Sequence, residues 1–421
     1  MRGSVITIPP EFIAAIPKTD LHVHLDGSLR LGSLIEMARE RKVDLPSTTE
    51  DGLRELVFKD RYNDLGEYLH GFMYTCGVLT DAEALERAAF ELAEDCIAEN
   101  VRYLEVRFAP QLHQRHDFPA REVVAAVHRG LERAGAAHNQ SPAVRSGENL
   151  PFHSGIIVCA MRMFTKSFSP YYQRTLEVHH YSRPEWTFSQ ASSELARCAV
   201  ALRDEEGLPV VGFDLAGQED GYPADDHREA YEYAHKHFLQ KTVHAGEAYG
   251  AESIFQAITD LHADRLGHGY HLFSPEKVRD PDIADPEAYC RALIQYIADR
   301  RITIEVCLTS NLQTNPELDS LQDHNFKKML ATKLSYTLCT DNRLVSNTSI
   351  TRELTLAVEE FGLTPRQFKN AIVYGFKRSF FPDSYAKKRH FVRQVLDRYE
   401  ALEQQYGVDR GPHDPVEALE F

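Results

Sequence analysis

The sequence predicts an α/β fold, a single (β/α)8 TIM barrel, and three observations favour it. Eight runs of β-branched and apolar residues each end in polar residues, glycine or proline, as strands do. Segments with apolar residues at helical spacing separate these runs, so strands and helices alternate along the chain. The runs are almost continuously apolar, which is typical of a parallel sheet covered by helices, and eight strands close such a barrel.

The predicted strands span residues 19–25, 101–109, 155–162, 210–216, 241–245, 265–271, 302–308 and 335–340. The predicted helices between them span 82–100, 122–137, 189–206, 228–239 and 286–300. A chain of 421 residues, 43% of them hydrophobic, is long enough to fill the core of one large barrel. We therefore predict one domain over residues 1–421.

Three segments lie outside this alternation. Residues 41–80, after the first strand, carry aromatic residues and leucines among glycine and aspartate, and predict a helical insertion. We expect that insertion to pack on the barrel and to form a lid over its mouth. Residues 139–151 are rich in Asn, Ser, Pro and Gly and predict a surface loop. Residues 385–406 predict a charged amphipathic C-terminal helix that covers the barrel.

The composition narrows the class of partner. A formal net charge of −16 without a Lys/Arg-rich block argues against nucleic acid and against an anionic membrane surface. The longest wholly apolar stretch, 156–161, is too short to span a bilayer, and residues 1–10 lack the apolar core of a secretion signal. Seven cysteines without a Cys-x-x-Cys pair indicate reduced thiols. We expect a cytoplasmic protein whose partner is a small molecule; the sequence does not predict an oligomeric state.

The first predicted strand ends in two histidines. Residues two apart in a strand face the same side, so His22 and His24 both point into the predicted barrel. A second pair at this spacing, His235 and His237, lies in a polar predicted helix, and we interpret it as a chance occurrence among 20 histidines. The strand position of the first pair makes it a candidate for metal binding.

Two further candidate ligands lie at strand ends. His244 closes the fifth predicted strand, and Asp341 follows the eighth. Barrels of this type hold their active sites at the carboxyl ends of the strands. Three imidazoles and one carboxylate leave a coordination position open for water, which is the pattern of a catalytic zinc site. We expect one Zn²⁺ per chain, although Fe²⁺ or Co²⁺ suits the same ligands.

Two residues are predicted to handle protons beside this metal. Glu247 lies three residues after His244 in a turn that contains glycine, and we predict that it shuttles a proton. His268 ends the sixth predicted strand between two glycines and is predicted to lie beside the metal rather than on it. A metal lowers the pKa of a bound water toward ~7, and a neighbouring histidine can hold and deprotonate that water.

Five motifs, in order along the chain, resemble the adenosine deaminase family of metal-dependent amidohydrolases. They are His-Val-His-Leu-Asp-Gly-Ser-Leu at 22–29, Val-Gly-Phe-Asp-Leu-Ala-Gly at 211–217, His-Ala-Gly-Glu at 244–247, Gly-His-Gly-Tyr-His at 267–271 and Thr-Asp-Asn at 340–342. The resemblance extends from residue 17 to about residue 353. It implies a zinc enzyme that converts adenosine, and usually 2′-deoxyadenosine, to the inosine product and ammonia.

The resemblance also implies a role for each matching position. The implied zinc ligands are His22, His24, His244 and Asp341. Glu247 would protonate the ring nitrogen next to the reacting carbon, and His268 would assist the attacking hydroxide. The implied substrate contacts come from His24, from Asp26 to the ribose 5′-hydroxyl, from the backbone N–H of Gly217 to a purine nitrogen, and from Asn342.

Asn342 departs from the pattern of the family. Much of the family has a second Asp at this position which, when protonated, donates a hydrogen bond to the purine N7. An amide NH₂ can make the same donation without needing a raised pKa. We interpret Asn342 as a tolerated variant; a changed base preference is the alternative.

The alternatives include related substrates and two other classes of protein. Adenine does not need a ribose-binding Asp26, and a nucleoside monophosphate would bring its phosphate against that carboxylate. A 5′-modified adenosine, such as an aminodeoxyfutalosine-like compound, stays open. A two-metal amidohydrolase usually needs a carboxylated lysine after the fourth strand, but no Lys occurs between residues 167 and 235. A non-catalytic binding protein on the same fold would be expected to have lost the metal ligands or the acid.

Overall fold

Eight parallel strands form one sheet in a computed structural model that describes residues 8–63 and 65–408. The strands are β1 Lys18–His24, β2 Val101–Phe108, β3 His153–Met161, β4 Val210–Ala216, β5 Gln240–Ala245, β6 Arg265–His268, β7 Thr303–Val306 and β8 Ser335–Leu338. They pair in sequence order, β1 to β8, and every ladder is parallel. The predicted α/β barrel is confirmed.

The barrel closes between its first and last strands. The backbone N–H of Asp341 donates to the carbonyl of His22 at 2.8 Å, and the N–H of His24 donates to the carbonyl of Asp341 at 2.7 Å. Farther down, the hydroxyl of Thr340 donates to the carboxylate of Asp20 at 2.6 Å. The seam between β1 and β8 therefore passes through three of the four candidate metal ligands.

Helices surround the sheet. They are α1 Pro10–Ala15, α2 Leu31–Arg41, α3 Glu50–Leu56, α4 Leu65–His70, α5 Phe72–Val78, α6 Ala82–Ala98, α7 Pro110–His113, α8 Ala120–Asn139, α9 Pro142–Arg145, α10 Pro170–Val178, α11 Pro184–Asp204, α12 Arg228–Lys236, α13 Ala251–Thr259, α14 Pro286–Arg300, α15 Leu308–Thr314, α16 Phe326–Ala331, α17 Ile350–Phe361, α18 Pro365–Arg378 and α19 Tyr385–Tyr406. Short 3₁₀ turns occupy Ala224–His227, Tyr270–Phe273, Pro275–Lys277 and Leu321–Asp323.

Local sequence signals explain where several helices begin. The side chains of Asp81 and Asp285 accept backbone N–H groups in the first turns of α6 and α14. A capping box between Thr364 and Gln367 starts α18. Gly130 lets α8 pack closely on α6, because a Cβ at this position would lie 2.2 Å from the carbonyl oxygen of Glu86. These contacts set where α6, α14 and α18 begin and how closely α8 packs on α6.

Most predicted elements agree with the structure to within a few residues, but two predicted strands were too long. The strand predicted at 265–271 ends at His268, where φ values of 64° at His268 and 58° at Gly269 turn the backbone into a 3₁₀ turn. The strand predicted at 302–308 ends at Val306, because α15 begins at Leu308. The loop predicted at 139–151 contains the short helix α9.

The segment predicted as an insertion, 41–80, contains the short helices α3, α4 and α5. The C-terminal helix predicted at 385–406 is α19. The described residues do not include 1–7, 64 and 409–421. Parts of the predicted domain and insertion, and most of the stretch 1–10 that was analysed for a secretion signal, therefore lie outside the described residues. Within the described ranges, no helix combines the length and the apolar character needed to cross a bilayer.

Candidate active site

The four candidate metal ligands meet at the carboxyl end of the barrel. His22 and His24 lie on β1, His244 lies on β5, and Asp341 follows β8. One ligand atom from each residue lies within 4.8 Å of all the others. The Nε2 atoms of His24 and His244 are 3.1 Å apart, and Oδ1 of Asp341 lies 3.3 Å from Nε2 of His22 and 3.5 Å from Nε2 of His24.

Carboxylates behind two of the imidazoles fix which ring nitrogen faces the centre. Nδ1 of His22 donates to Glu305 at 2.9 Å, and Nδ1 of His244 donates to Asp214 at 3.2 Å. With the proton on Nδ1, each Nε2 presents a lone pair to the cluster. The buried Nε2 of His22 has no hydrogen-bond partner among the described residues. Metal-binding histidines usually donate their other N–H to a carboxylate in this way, so the residues fit a divalent metal.

A buried ion network lies beneath the cluster. Arg107 donates to Asp214 at 2.9 Å and to Glu305 at 2.8 Å, and Arg265 donates to Glu305 at 2.6 Å and also pairs with Glu105. Burial alone would raise the pKa of the Glu305 carboxyl, but the guanidinium groups of Arg107 and Arg265 hold that pKa well below its usual range. The carboxylates that orient His22 and His244 therefore stay charged.

The backbone at two site residues is left-handed. The φ angle is 60° at Asp341 and 64° at His268, a conformation that costs energy for residues other than glycine. The Oδ2 atom of Asp341 accepts the hydroxyl proton of Ser310 at 2.6 Å. Burial alone would raise the pKa of Asp341, but Nε2 of His22, 3.3 Å from Oδ1, and the other imidazoles around the carboxylate hold that pKa well below its usual range.

Glu247 and His268 lie together beside the cluster. The Nε2 atom of His268 is 3.7 Å from Oε1 of Glu247, and both residues share a group of possible ligand atoms with Asp341. Burial, together with the negative charge of Asp341, raises the pKa of Glu247 to about 8. Glu247 therefore carries a proton at neutral pH. Burial lowers the pKa of His268 well below its usual range, so this imidazole is neutral at the same pH.

A buried carboxylate that the sequence analysis missed holds the turn containing Glu247. Glu219 is 3% exposed and accepts four successive backbone N–H groups, from residues 246 to 249, at 2.7–3.0 Å. The hydroxyl of Ser253 donates to the same carboxylate at 2.5 Å. Glu219 lies two residues beyond the motif that ends at Gly217, and its proximity to that motif was the one available signal.

The residues predicted to bind the substrate surround the same rim. Asp26 follows β1 and is 3% exposed, and its Oδ2 lies 3.6 Å from Nε2 of the buried His113. Gly217 follows β4 with a φ angle of 97°, which favours glycine at this turn. The amide nitrogen of Asn342 donates to the hydroxyl of Tyr68 at 2.8 Å, which ties α4 of the 41–80 segment to the end of β8.

Gly27 makes room for Asn342. A Cβ at Gly27 would lie 1.8 Å from the side-chain oxygen of Asn342, so a larger residue at position 27 would displace that amide. The same oxygen is buried and has no partner within the described part of the chain, whereas the amide nitrogen is bonded to Tyr68. The sequence analysis had expected the NH₂ group to serve a ligand; in the structure one of its two protons is already used.

A separate cavity of about 1110 Å³ lies at the opposite end of the barrel. Residues at the amino-terminal ends of strands, such as Val210 and Gln240, line it, and none of the site residues described above does. Volume alone therefore does not locate the chemistry of this protein. The site is defined by converging ligand atoms and by groups whose pKa values are shifted.

The sequence profile of the adenosine deaminase family matches residues 17–185 and 181–398. The adenosine deaminase of Mycobacterium sp. (strain KMS) is 36% identical over 375 residues, which cover 88% of this chain and 92% of that protein. The chain belongs to the adenosine deaminase family. Adenosine deaminase 1 of Streptomyces coelicolor is 37% identical over 379 residues, which cover 89% of this chain and 85% of that protein. The predicted membership of this family of hydrolases acting on C–N bonds is confirmed.

Solved structures of deaminases and amidohydrolases share the fold. An amidohydrolase from Burkholderia ambifaria with bound Zn superposes with a TM-score of 0.75 at 21% identity, covering 97% of this chain and 98% of that one. The Arabidopsis N6-mAMP deaminase superposes with a TM-score of 0.69 at 26% identity, covering 92% of this chain and 99% of that one. Members and neighbours of the family thus differ in whether their substrates carry a phosphate.

Proposed function

We propose that this protein is a zinc-dependent hydrolase that converts adenosine, and 2′-deoxyadenosine, to the inosine product and ammonia. The observation that carries the proposal is the convergence of three imidazoles, a charged carboxylate and a protonated glutamic acid at one rim of the barrel. Relatives named adenosine deaminase, at 36–37% identity over most of the chain, support the choice of substrate. Such a reaction would serve purine salvage.

The proposed metal is one Zn²⁺ held by His22, His24, His244 and Asp341. Nitrogen-rich sites with one carboxylate suit zinc, and two of the imidazoles already direct their lone pairs inward. When bound, the metal supplies Lewis acidity that lets a water molecule attack near neutral pH. Glu305 and Asp214 keep His22 and His244 in the tautomer that metal binding needs.

The residues around the metal are proposed to act on the substrate and on its protons. Glu247 donates its proton to the ring nitrogen beside the reacting carbon, which requires the acid form that its raised pKa maintains. His268 holds the attacking water, and His24 borders the substrate as well as the metal. Asp26 accepts the ribose 5′-hydroxyl, and the backbone N–H of Gly217 donates to a purine nitrogen.

Asn342 is proposed to serve the purine N7 with its second amide proton. One proton of its NH₂ group donates to Tyr68, which leaves one free to donate to a base. Because Tyr68 belongs to α4, we also propose that the 41–80 segment closes over the barrel mouth as a lid within a single domain over 1–421. The hydroxyl of Tyr62, in the same segment, donates to the carbonyl of Val345 at 3.0 Å and anchors it nearby.

The ribose end of the proposed pocket disfavours a phosphate. Asp26 presents a carboxylate there, and the neighbouring Nε2 of His113 is a hydrogen-bond acceptor because Nδ1 donates to the carbonyl of Leu79 at 3.1 Å. Two acceptors, one of them an anion, repel a 5′-phosphate but accept a hydroxyl. This arrangement favours a nucleoside over a nucleotide. The seven cysteines are free thiols, which supports the proposed location in the cytoplasm.

A substrate panel tests the proposal. Ammonia release and metal content are measured with adenine, adenosine, 2′-deoxyadenosine, adenosine monophosphate and a 5′-modified adenosine. We expect the highest kcat/KM for the two unmodified nucleosides, with one zinc per chain. In Asp26→Asn the nucleoside should lose kcat/KM, and its advantage over the monophosphate should shrink, because the repelling charge is gone. Faster turnover of adenine or of the 5′-modified compound would assign a different substrate.

A further inference from the structure

A second group of possible metal ligands lies close to the proposed zinc site. Asp26 follows β1, Cys76 lies in α5, and His113 ends α7, and one ligand atom from each lies within 4.8 Å of the others. We name these three residues the Asp26 cluster. It joins the 41–80 segment to the barrel wall, and none of its members is a proposed zinc ligand.

Two atoms of the Asp26 cluster are buried without partners. Within the described residues, Oδ1 of Asp26 and Nε2 of His113 accept no hydrogen bond, and the two residues are 3% and 0% exposed. Because Nδ1 of His113 donates to Leu79, its Nε2 presents a lone pair toward the carboxylate oxygen 3.6 Å away. Facing acceptors of this kind destabilise each other unless a cation or a donor lies between them.

We propose that the Asp26 cluster is a second metal site, for a thiophilic divalent cation such as Zn²⁺ or Cd²⁺. A carboxylate, an imidazole and a thiolate form a three-ligand set that such ions take readily, with a fourth position left for water. Binding releases the thiol proton of Cys76 to solvent, so the two anionic ligands balance the charge of the ion. Burial and the nearby Asp26 carboxylate raise the pKa of the Cys76 thiol well above its usual range, and the guanidinium of Arg115 offsets only part of this rise. The thiol therefore stays protonated in the metal-free cluster, and the thiolate forms only when the charge of a bound cation stabilises it.

Occupation of this site is inhibitory. Asp26 is the carboxylate that we assign to the ribose 5′-hydroxyl, and a carboxylate bound to a metal cannot accept that hydroxyl. This consequence rests on the proposed function, whereas metal binding itself does not. We therefore expect competitive inhibition, in which the KM for adenosine rises with cation concentration and kcat stays constant.

The experiment titrates the zinc-loaded enzyme with Cd²⁺ and follows the ultraviolet charge-transfer absorbance of the cadmium–thiolate bond. The proposed catalytic site contains no sulfur ligand, so this absorbance reports cadmium bound to a cysteine, and its dependence on Cys76 assigns it to the second site. We expect one equivalent to bind, and Cys76→Ala to lose the absorbance and to weaken inhibition at least about tenfold. Cys198→Ala, which removes a half-buried thiol on α11, is the control and should behave as the parent.

Metal binding by the Asp26 cluster and inhibition by the bound metal can be disproved separately. Absent absorbance with one equivalent of Cd²⁺, or absorbance that survives Cys76→Ala, overturns the metal site. Absorbance that depends on Cys76, with the KM for adenosine unchanged, keeps the metal site and overturns the assignment of Asp26 to the ribose. His113→Gln, which removes a ligand without touching sulfur, should lower the affinity for Cd²⁺ and gives a second check.

A separate observation concerns which ring nitrogen of His268 carries the proton. The backbone N–H of Phe326 donates to Nδ1 of His324 at 2.9 Å, so the Nε2 of His324 carries the ring proton. That Nε2 lies 3.3 Å from the side-chain oxygen of Asn311, and the amide nitrogen of Asn311 lies 3.2 Å from Nδ1 of His268. Each step of this chain fixes the direction of the next hydrogen bond.

We infer that Asn311 and His324 are positioning residues that set the tautomer of His268. Because the Asn311 amide donates to Nδ1 of His268, this nitrogen carries no proton, and the single ring proton lies on Nε2. The buried Nε2 faces the site, 3.7 Å from Glu247, with no partner in the described ranges. His268 therefore orients the attacking oxygen as a hydrogen-bond donor and does not act as its base. The proton that this oxygen loses would pass to solvent, since a bound metal would lower the pKa of the water.

This inference deepens the proposed function, and nitrogen NMR tests it without turnover. In the metal-loaded enzyme we expect the ¹⁵N shifts of His268 to show a protonated Nε2 and an unprotonated Nδ1. Asn311→Asp replaces the donor by an acceptor of the same shape, which should move the proton to Nδ1. A drop of kcat at constant KM should accompany that change. The control is Asn325→Asp, a buried amide bonded to the carbonyl of Tyr270.

Each outcome of that experiment decides the inference. A protonated Nδ1 in the parent protein overturns it, even if the Asn311 variant does not fold. An Asn311→Asp enzyme that keeps both the parent tautomer and the parent kcat also overturns it. Inactivity of the parent toward adenosine together with a protonated Nε2 would leave the tautomer assignment standing and reject the proposed substrate.

Discussion

The carboxylate of Glu219 accepts the backbone N–H of Glu247 at 2.9 Å and so determines where the proposed proton donor lies. The same carboxylate binds three neighbouring N–H groups, so the whole turn depends on one side chain. A turn held by four charge-assisted hydrogen bonds is rigid, and a rigid donor is what a proton transfer in the site requires.

Glu219→Gln should therefore reduce kcat by about 100-fold, which is the typical cost of misplacing a reacting group by about 1 Å. The amide NH₂ group would face the backbone N–H groups and push the turn away. Zinc content and KM should change little. Glu252→Gln is the matched control, since Glu252 also accepts two backbone N–H groups but outside this turn. An unchanged kcat in Glu219→Gln would contradict the positioning role.

Glu247→Gln should retain the metal and lose most turnover. The amide keeps the size of the side chain but has no acidic proton to give, and general acid catalysis contributes about 10²–10⁴-fold. Initial rates of ammonia release and zinc content per chain measure the two effects separately. Full activity in this variant would remove Glu247 from the mechanism, and loss of zinc would make it a ligand instead.

The pH dependence of kcat should show a fall on the alkaline side. Burial and the charge of Asp341 raise the pKa of Glu247 to about 8, so the donor is protonated below this pH and loses its proton above it. Rates should therefore be constant near neutrality and decline as the pH rises through about 8. A pH profile of kcat measures this, and Glu247→Gln should lack the alkaline decline in its residual rate.

Local sequence patterns alone predict that His22, His24, His244 and Asp341 lie at strand ends. Alternation places two strand residues on one face, and the end of a strand in a parallel barrel lies at the active rim. The structure brings the four together as predicted. Their service as zinc ligands stays a prediction, which the metal-content experiment below tests.

The same patterns do not predict the partners of these residues. Arg107 and Glu305 interrupt the apolar runs of predicted strands at interior-facing positions, which was the available signal that they have a role inside the barrel. The two residues are 198 positions apart in sequence, and no periodicity predicts a contact between them. The end of β6 was missed because the left-handed backbone at His268 depends on the packed site rather than on local propensity.

His22→Ala should deplete the enzyme of zinc, because three remaining ligands bind the ion more weakly and the Glu305 carboxylate loses its imidazole partner. Atomic absorption after dialysis measures the content. The control is His235→Ala, which removes one histidine of the other His-x-His pair, on the exposed face of α12. Equal zinc in both variants would place the metal elsewhere.

Arg107→Met should destabilise the fold and weaken the metal site together. Removal of the guanidinium leaves Asp214 and Glu305 as buried charges that have lost a partner, which typically costs about 3–5 kcal/mol. Urea unfolding of the parent and the variant measures this loss.

Arg393→Met, which breaks an exposed pair with Asp397 on α19, is the control and should cost at most about 1 kcal/mol. If both variants unfolded alike, the buried network would not support the site. A loss confined to Arg107→Met, with zinc affinity reduced about 10–100-fold, would tie the stability of the barrel interior to the orientation of His22 and His244.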